Sequence, residues 1–142
     1  MESKIRVERA SRAFVPRSET GAQAVAARAE NHGIRVVLIE DDELICGGLA
    51  ALLTMEGYDV HSTGSGLGAE ALIERVNPSV VLADLSLPDC DGVELVATIR
   101  TRWPSIRVVV STGRLDKRLE PAGIAVLLKP YGIDELLTLI RS

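Results

Sequence analysis

Four apolar runs in this chain end abruptly in polar residues able to do chemistry. Val37-Leu38-Ile39 runs into Glu40-Asp41, Val80-Val81-Leu82-Ala83 into Asp84, Val108-Val109-Val110-Ser111 into Thr112, and Val126-Leu127-Leu128 into Lys129. If these runs are neighbouring parallel strands, their carboxyl ends share one edge of a sheet, where open α/β sheets bind their ligands. Three carboxylates gathered there would repel one another unless a cation joined them. Hard oxygen donors with few neutral partners suit Mg²⁺, which keeps several waters and is commonly shared with phosphate oxygens. Lys129 would add a mobile point charge and Thr112 a hydroxyl donor. Phosphoryl transfer onto a carboxylate needs that set: an aspartate nucleophile, a metal, and donors for the phosphoryl oxygens. Taken singly, each residue has a plainer role. Asp42 could cap a helix, Asp84 could open a turn, and Lys129 could be a solvated cation. The coincidence of four such strand ends carries the argument.

The elements that must position these groups follow from periodicity. Ile34 to Ile39, Tyr58 to Ser62, the run ending at Asp84, Arg107 to Ser111 and Ile124 to Leu128 read as strands, rich in β-branched residues. Between them, Glu43 to Glu56 repeats its leucines at helical spacing and meets Gly57 as a C-terminal stop. Ala69 to Val76 and Val93 to Arg102 are further helices, the second ended by Trp103-Pro104, with Trp103 plugging core surface. Ile133 to Arg141 is a last amphipathic helix whose Asp134 and Glu135 suit its N-terminal dipole. Residues 114–122 are polar, contain Pro121 and have room for no more than a turn or two of helix. Five strands alternating with helices predict an α/β fold with a doubly wound, five-stranded parallel sheet.

Composition narrows the class. The 142 residues, 46% of them hydrophobic, suffice for one domain with one core. Aromatics make up only 3%, so that core must be aliphatic. Residues 1–33 hold six basic and four acidic side chains, and 34–142 hold ten and sixteen. The folded part is therefore acidic, which argues against a nucleic-acid footprint. Residues 1–33 read as an extension that is flexible or partly helical, Thr20 to Asn31 being Ala-rich. Cys46 and Cys90 lack metal-ligand or C-x-x-C spacing and fit a reducing compartment. Without a signal sequence or an apolar run of about 20 residues, the expectation is a cytoplasmic protein without a membrane span.

The segments around the four strand ends resemble the receiver domain of two-component response regulators. They are Val37-Leu38-Ile39-Glu40-Asp41-Asp42-Glu43, the loop from Asp84 to Gly92, Val108-Val109-Val110-Ser111-Thr112, and Leu127-Leu128-Lys129-Pro130-Tyr131. The resemblance covers about Ile34 to Ser142. It implies a flavodoxin-like sheet of strand order 2-1-3-4-5, with Asp84 as phosphoacceptor. Glu40, Asp41, Asp84 and the backbone carbonyl of Ser86 would hold Mg²⁺. Thr112 would hydrogen-bond the phosphoryl group and Lys129 would pair with it. The implied donor is a histidine kinase or phosphotransfer protein. With the chain ending at Ser142, the implied output is a protein contact by a monomer or a phosphorylation-dependent dimer. Three features depart from the family pattern: a short gap from Thr112 to Lys129, which predicts a shortened fourth helix, Gly113 after Thr112, and Val126 where many receivers carry an aromatic switch residue. The pattern is similar to that of stand-alone receivers with a Thr-Gly strand end.

Other signals are weaker. Gly64-Ser65-Gly66-Leu67-Gly68 fits neither a dinucleotide loop nor a Walker loop and reads as a flexible connection. His32 and His61 are isolated, and Cys90 reads as an inert thiol despite its place beside the site. Competing readings are a phosphate sink or shuttle, a scaffold module with a vestigial pocket, and a small Mg²⁺-dependent phosphohydrolase using Asp84 as nucleophile.

Overall fold

Val80–Asp84 is buried at all five positions and runs through the middle of a parallel sheet. In a computed structural model describing residues 6–8, 31–122 and 124–142, the strands are β1 (Arg6–Glu8), β2 (Arg35–Ile39), β3 (Asp59–Thr63), β4 (Val80–Asp84), β5 (Arg107–Thr112) and β6 (Ala125–Leu128). The helices are α1 (Glu43–Met55), α2 (Gly66–Val76), α3 (Gly92–Arg102) and α4 (Ile133–Arg141). The sheet order is β1-β6-β5-β4-β2-β3. Counted from β2, the five strands of the expected domain lie in the order 2-1-3-4-5, as the doubly wound reading requires.

One element exceeds the five-stranded expectation. Arg6–Glu8 pairs in parallel with β6, Val7 opposite Val126, so the sheet has six strands. A three-residue strand carries no usable alternation, and what draws it in is the unpaired edge of β6. Residues 9–30, with most of the helix expected over Thr20 to Asn31, lie outside the described residues.

The strands alternate their side chains between two aliphatic layers. Val37, Ile39, Val81, Ala83, Val108, Val110 and Val126 face α2 and α3, packing on Ala69, Leu72, Ile73, Leu95, Val96 and Ile99. Val36, Leu38, Leu82, Val109 and Leu127 face α1 and α4, packing on Leu53, Leu136, Leu139 and Ile140. Trp103 caps α3 and packs half-buried against the first layer, as expected. The stretch that would hold a fourth receiver helix is a six-residue 3₁₀ turn, Lys117–Ala122, anchored by the fully buried Leu119. The sequence expectation of a shortened helix there is met.

Helix ends at the sheet's carboxyl edge are fixed by aspartates. Asp42 accepts from the backbone N–H groups of Leu44 and Ile45 at the start of α1, and Asp91 from those of Val93 and Glu94 at the start of α3. Helix α2 begins at Gly66, three residues earlier than the glycines suggest, with Ser65 as its N-cap. Asp89 reaches it from the loop after β4 and accepts from Ser65 Oγ (2.8 Å), Gly66 N (3.0 Å) and Leu67 N (3.0 Å). The glycine-rich connection is therefore clamped, which corrects its reading as flexible. The Leu67 amide, the Ser65 hydroxyl and the Gly66 amide together pull the Asp89 carboxyl down to about 2.

Helix α1 is unusual on its outer side. No charged residue lies between Glu43 and Glu56, and only Leu53 is buried. Leu44 is 89% exposed and Met55 69%, with the exposed Gly47, Gly48 and Ala51 between them.

The glycines separate into two kinds. A Cβ on Gly92 would lie 2.5 Å from the Leu85 carbonyl oxygen and 2.7 Å from Leu85 Cα, whereas one on Gly47 or Gly48 would meet nothing within 4 Å. Gly92→Ala should therefore lower the unfolding free energy by about 1–3 kcal/mol, since backbone has to move. Gly47→Ala and Gly48→Ala should each raise it by about 0.5–1 kcal/mol through helix propensity. Urea unfolding of the three variants checks both signs.

Candidate functional site

The parallel register delivers the predicted groups to one edge. Ile39 pairs with Ala83, and Asp84 with Ser111, so Glu40 and Asp41 leave β2 beside the end of β4. Oxygens of Glu40, Asp41 and Asp84 lie within 4.8 Å of one another. Glu40 and Asp84 are each only 4% exposed, whereas Asp41 is open to solvent. Lys129, at the end of β6, reaches in with Nζ 3.1 Å from Asp84 Oδ2 and 4.0 Å from Glu40 Oε2. Ser86 donates its backbone N–H to Asp84 Oδ1 at 2.9 Å, which orients the carboxylate and keeps Ser86 next to it.

Thr112 sits at the end of β5 as expected, and its side chain is engaged elsewhere. Its hydroxyl donates to the Arg114 carbonyl at 2.7 Å and receives the Arg114 N–H at 3.2 Å. No hydrogen bond among the described residues joins it to the carboxylates. Its backbone carbonyl accepts from Lys129 N at 2.8 Å, tying the two strand ends together. The sequence thus placed five side chains at one edge, of which the structure joins four.

The electrostatics are those of like charges held out of water. Burial is the main reason the Glu40 carboxyl is raised from 4.5 to about 7, and the nearby Asp84 adds to it. A hydrogen bond from Asp42 N at 3.1 Å and the charge of Lys129 oppose the rise. Burial, Glu40 and Asp84 likewise push the Tyr131 phenol up. With all groups ionised, the three carboxylates and one ammonium leave two negative charges, the complement of one divalent cation. Glu40, Asp41 and Asp84 could hold such a cation, and all-oxygen donors select Mg²⁺ over softer metals.

Residues that the sequence reading passed over surround this centre. Asp89 is one. Arg118 is another, with Nη1 2.6 Å from Asp91 Oδ2 and Nη2 2.8 Å from Asp116 Oδ2, so it bridges the start of α3 to the turn after β5. The guanidinium holds both carboxyls below their usual range. Neither had a local signal: Asp89 acts on a helix start 23 residues away, and no local pattern pairs Arg118 with Asp91. The Cys90 thiol is pushed up, first by burial and then by Asp89, Asp91 and Glu94, in keeping with an inert cysteine.

The model of the response regulator receiver domain matches residues 36–141. The chain belongs to that family. Receivers as a family are signalling domains, typically phosphorylated and Mg²⁺-binding. Among curated relatives, BasR of Escherichia coli K12, a transcriptional regulatory protein, is 33% identical over 114 residues, covering 77% of this chain and 51% of that protein. The sensory transduction protein RegX3 of Mycolicibacterium smegmatis is 36% identical, covering 75% and 49%. The receiver thus spans about half the length of the curated relatives it matches. Among solved structures, the BeF₃-activated receiver domain of Klebsiella pneumoniae RstA superposes with a TM-score of 0.69 at 30% identity, covering 75% of this chain and 95% of that one. A CheY-like receiver from Methanospirillum hungatei gives 0.71 at 26%, covering 76% and 90%. The response regulator TrrA, solved in complex with the histidine kinase ThkA, belongs to a structure matched at 0.68 and 22%, covering 76% and 96%, which bears on the fold alone. Among the described residues, no helix is long and apolar enough to cross a membrane.

The raised Glu40 carboxyl makes a prediction for the metal-free receiver. A carboxyl whose folded value exceeds its unfolded one favours folding fully below the unfolded value, 4.5, and loses that contribution as pH rises through about 7. In chelator, the thermal midpoint should fall between pH 5 and about 8, and Glu40→Gln should flatten that fall. Equal slopes in the two proteins would show that Glu40 titrates normally.

Proposed function

We propose that this receiver is a phosphorylation switch in which Asp84 accepts a phosphoryl group from a phosphohistidine donor. The observation that carries this reading is the buried Asp84 carboxylate held between a lysine at 3.1 Å and two further acids within 4.8 Å. An Asp84 oxygen attacks phosphorus, a P–O bond forms, and the P–N bond to the donor imidazole breaks, the imidazole leaving with the electron pair and taking up a proton. Glu40, Asp41, Asp84 and the Ser86 carbonyl are the residues that would hold Mg²⁺. A bound Mg²⁺ would offset the charge of the acids and of the incoming phosphoryl oxygens. Lys129 trades part of its pairing with Asp84 for a phosphoryl oxygen, and Thr112 turns its hydroxyl from the Arg114 carbonyl towards another. Hydrolysis of the acyl phosphate resets the switch, the only turnover this reading assigns to the chain. Output is then a protein–protein contact altered by the new charge.

The uncharged face of α1 is where the donor fits best. Asp42, the N-cap of α1, directly follows the acid pair, so Leu44 and Ile45 lie within one turn of the centre. A helical donor domain with an apolar stripe would cover these side chains while presenting its phosphohistidine to Asp84.

Acetyl phosphate with Mg²⁺ should give a single phosphate adduct by intact mass, absent in Asp84→Asn and absent in EDTA. No adduct under any condition would leave the scaffold reading in its place. For any histidine kinase found to phosphorylate the wild type, Leu44→Glu should slow transfer at least about ten-fold while leaving the acetyl phosphate reaction unchanged. An equal slowing of both reactions would mean that the substitution disturbs the site and not the docking.

A further inference from the structure

Among the described residues, β6 would end the sheet on its side if Arg6–Glu8 did not pair with it. The run from Ile124 to Leu128 carries no charged residue. Ala125 and Leu127 are buried in one aliphatic layer and Val126 in the other, so what the edge offers a neighbour is its backbone. Lys129 shows which way that backbone faces, since its N–H donates to the Thr112 carbonyl on β5 at 2.8 Å. Successive residues of a strand turn their N–H groups to opposite sides. Those of Ala125 and Leu127 therefore also face β5, and those of Val126 and Leu128 face outward, to where β1 lies. An uncharged edge with outward N–H and C=O groups is a template for another strand, and a second copy of the chain brings the same edge.

Arg6–Glu8 changes what the sheet presents. It pairs in parallel, with Arg6 opposite Ala125, Val7 opposite Val126 and Glu8 opposite Leu127. Two of its three residues are charged, whereas the edge it covers has none. Charged residues on an outermost strand are a common device against edge-to-edge pairing of sheets. So short a ladder adds little affinity of its own, and its advantage is the covalent link through residues 9–30 to Asn31. A linked partner acts at an effective concentration of the order of millimolar, about a thousand-fold above separate copies at micromolar concentration. We propose that Arg6–Glu8 is an edge guard, a strand of the chain's own that closes β6 to the β6 edge of a second copy. Nothing in this depends on the chemistry at Asp84.

The test compares the full chain with Val7→Pro/Glu8→Pro. Adjacent N–H groups face opposite sides, so one of the two prolines must remove a donor that faces β6. Hydrogen exchange, read residue by residue by fragmentation mass spectrometry, is followed at several protein concentrations. In dilute solution the Val126 and Leu128 amides should exchange at least about ten-fold faster in the variant. The Leu127 amide and those of Val81 to Ala83 should keep their wild-type rates, which shows that the rest of the sheet is intact. Sedimentation should find the wild type monomeric across the micromolar range and the variant associating there. As the variant associates, its Val126 and Leu128 amides should slow again, which locates the new contact at the β6 edge. Arg6→Gly/Val7→Gly/Glu8→Gly, which weakens the strand without proline, should give the same order of results. Equal exchange at Val126 and Leu128 in variants and wild type would overturn the proposal. So would a bare edge on a chain that stays monomeric, association that leaves these two amides fast, or a wild type that associates as readily as the variants.

Discussion

The structure is organised around an interaction that is unfavourable in isolation. Two carboxylates, Glu40 and Asp84, are buried almost completely with a third, Asp41, alongside. Ordinary folding would place such groups in water. They stay because parallel strands impose their direction: β2 and β4 end side by side, and their next residues have nowhere to go but the same edge. Lys129 is the necessary counterweight, delivered by a strand two places further across the sheet. Its single charge lessens the repulsion without cancelling it, and burial, with Asp84 adding to it, keeps the Glu40 carboxyl raised. A centre left with two negative charges in excess is the electrostatic complement of one divalent cation.

Acidic residues at this edge divide into two sets by the direction in which they point. Glu40, Asp41 and Asp84 face the centre. Asp42, Asp89 and Asp91 face backbone N–H groups at the starts of α1, α2 and α3, where a carboxylate complements the helix dipole. The second set keeps the loops of the first in place. Asp89 is the clearest case, because it ties the loop that follows Asp84 to a helix on the neighbouring strand crossover. The two buried acids, Glu40 and Asp84, both belong to the centre, whereas the three that cap helices are exposed.

This division explains what could be read from the sequence. The strand ends were legible because a fully buried parallel strand is a continuous apolar run, and a charged residue closing it stands out. Val80–Asp84 is such a run, and Ile133–Arg141 was legible in the same way from its helical period. The start of α2 was not, since Gly66 and Gly68 argue against a helix and the clamp that overrides them comes from Asp89, 23 residues away. Nor was β1, whose three residues gain their conformation from the free edge of β6. The Thr112 side chain was located but not oriented, because its partner is a carbonyl in its own turn and not a group in the centre.

Under the proposed phosphorylation of Asp84, a receiver without an aromatic in the position of Val126 would have to transmit the charge change by other means. Val126 is fully buried in the layer that also holds Leu119, the anchor of the 3₁₀ turn, and a valine there has no rotamer that reaches the surface. Thr112 lies between the centre and the surface: its backbone carbonyl accepts from Lys129 N, and its hydroxyl holds the following turn. That turn is short, carries Gly113 with open space about it, and is braced on its far side by Arg118 against Asp91 and Asp116. A single hydrogen bond of 2.7 Å at one end and an exposed ion pair at the other are modest interactions. Two states separated by so little can be exchanged by a single new charge at Asp84, and an element tied down more firmly could not. The shortened segment is therefore suited to a switch in this chain, because a full helix packed on the sheet would have to be displaced against its own buried surface.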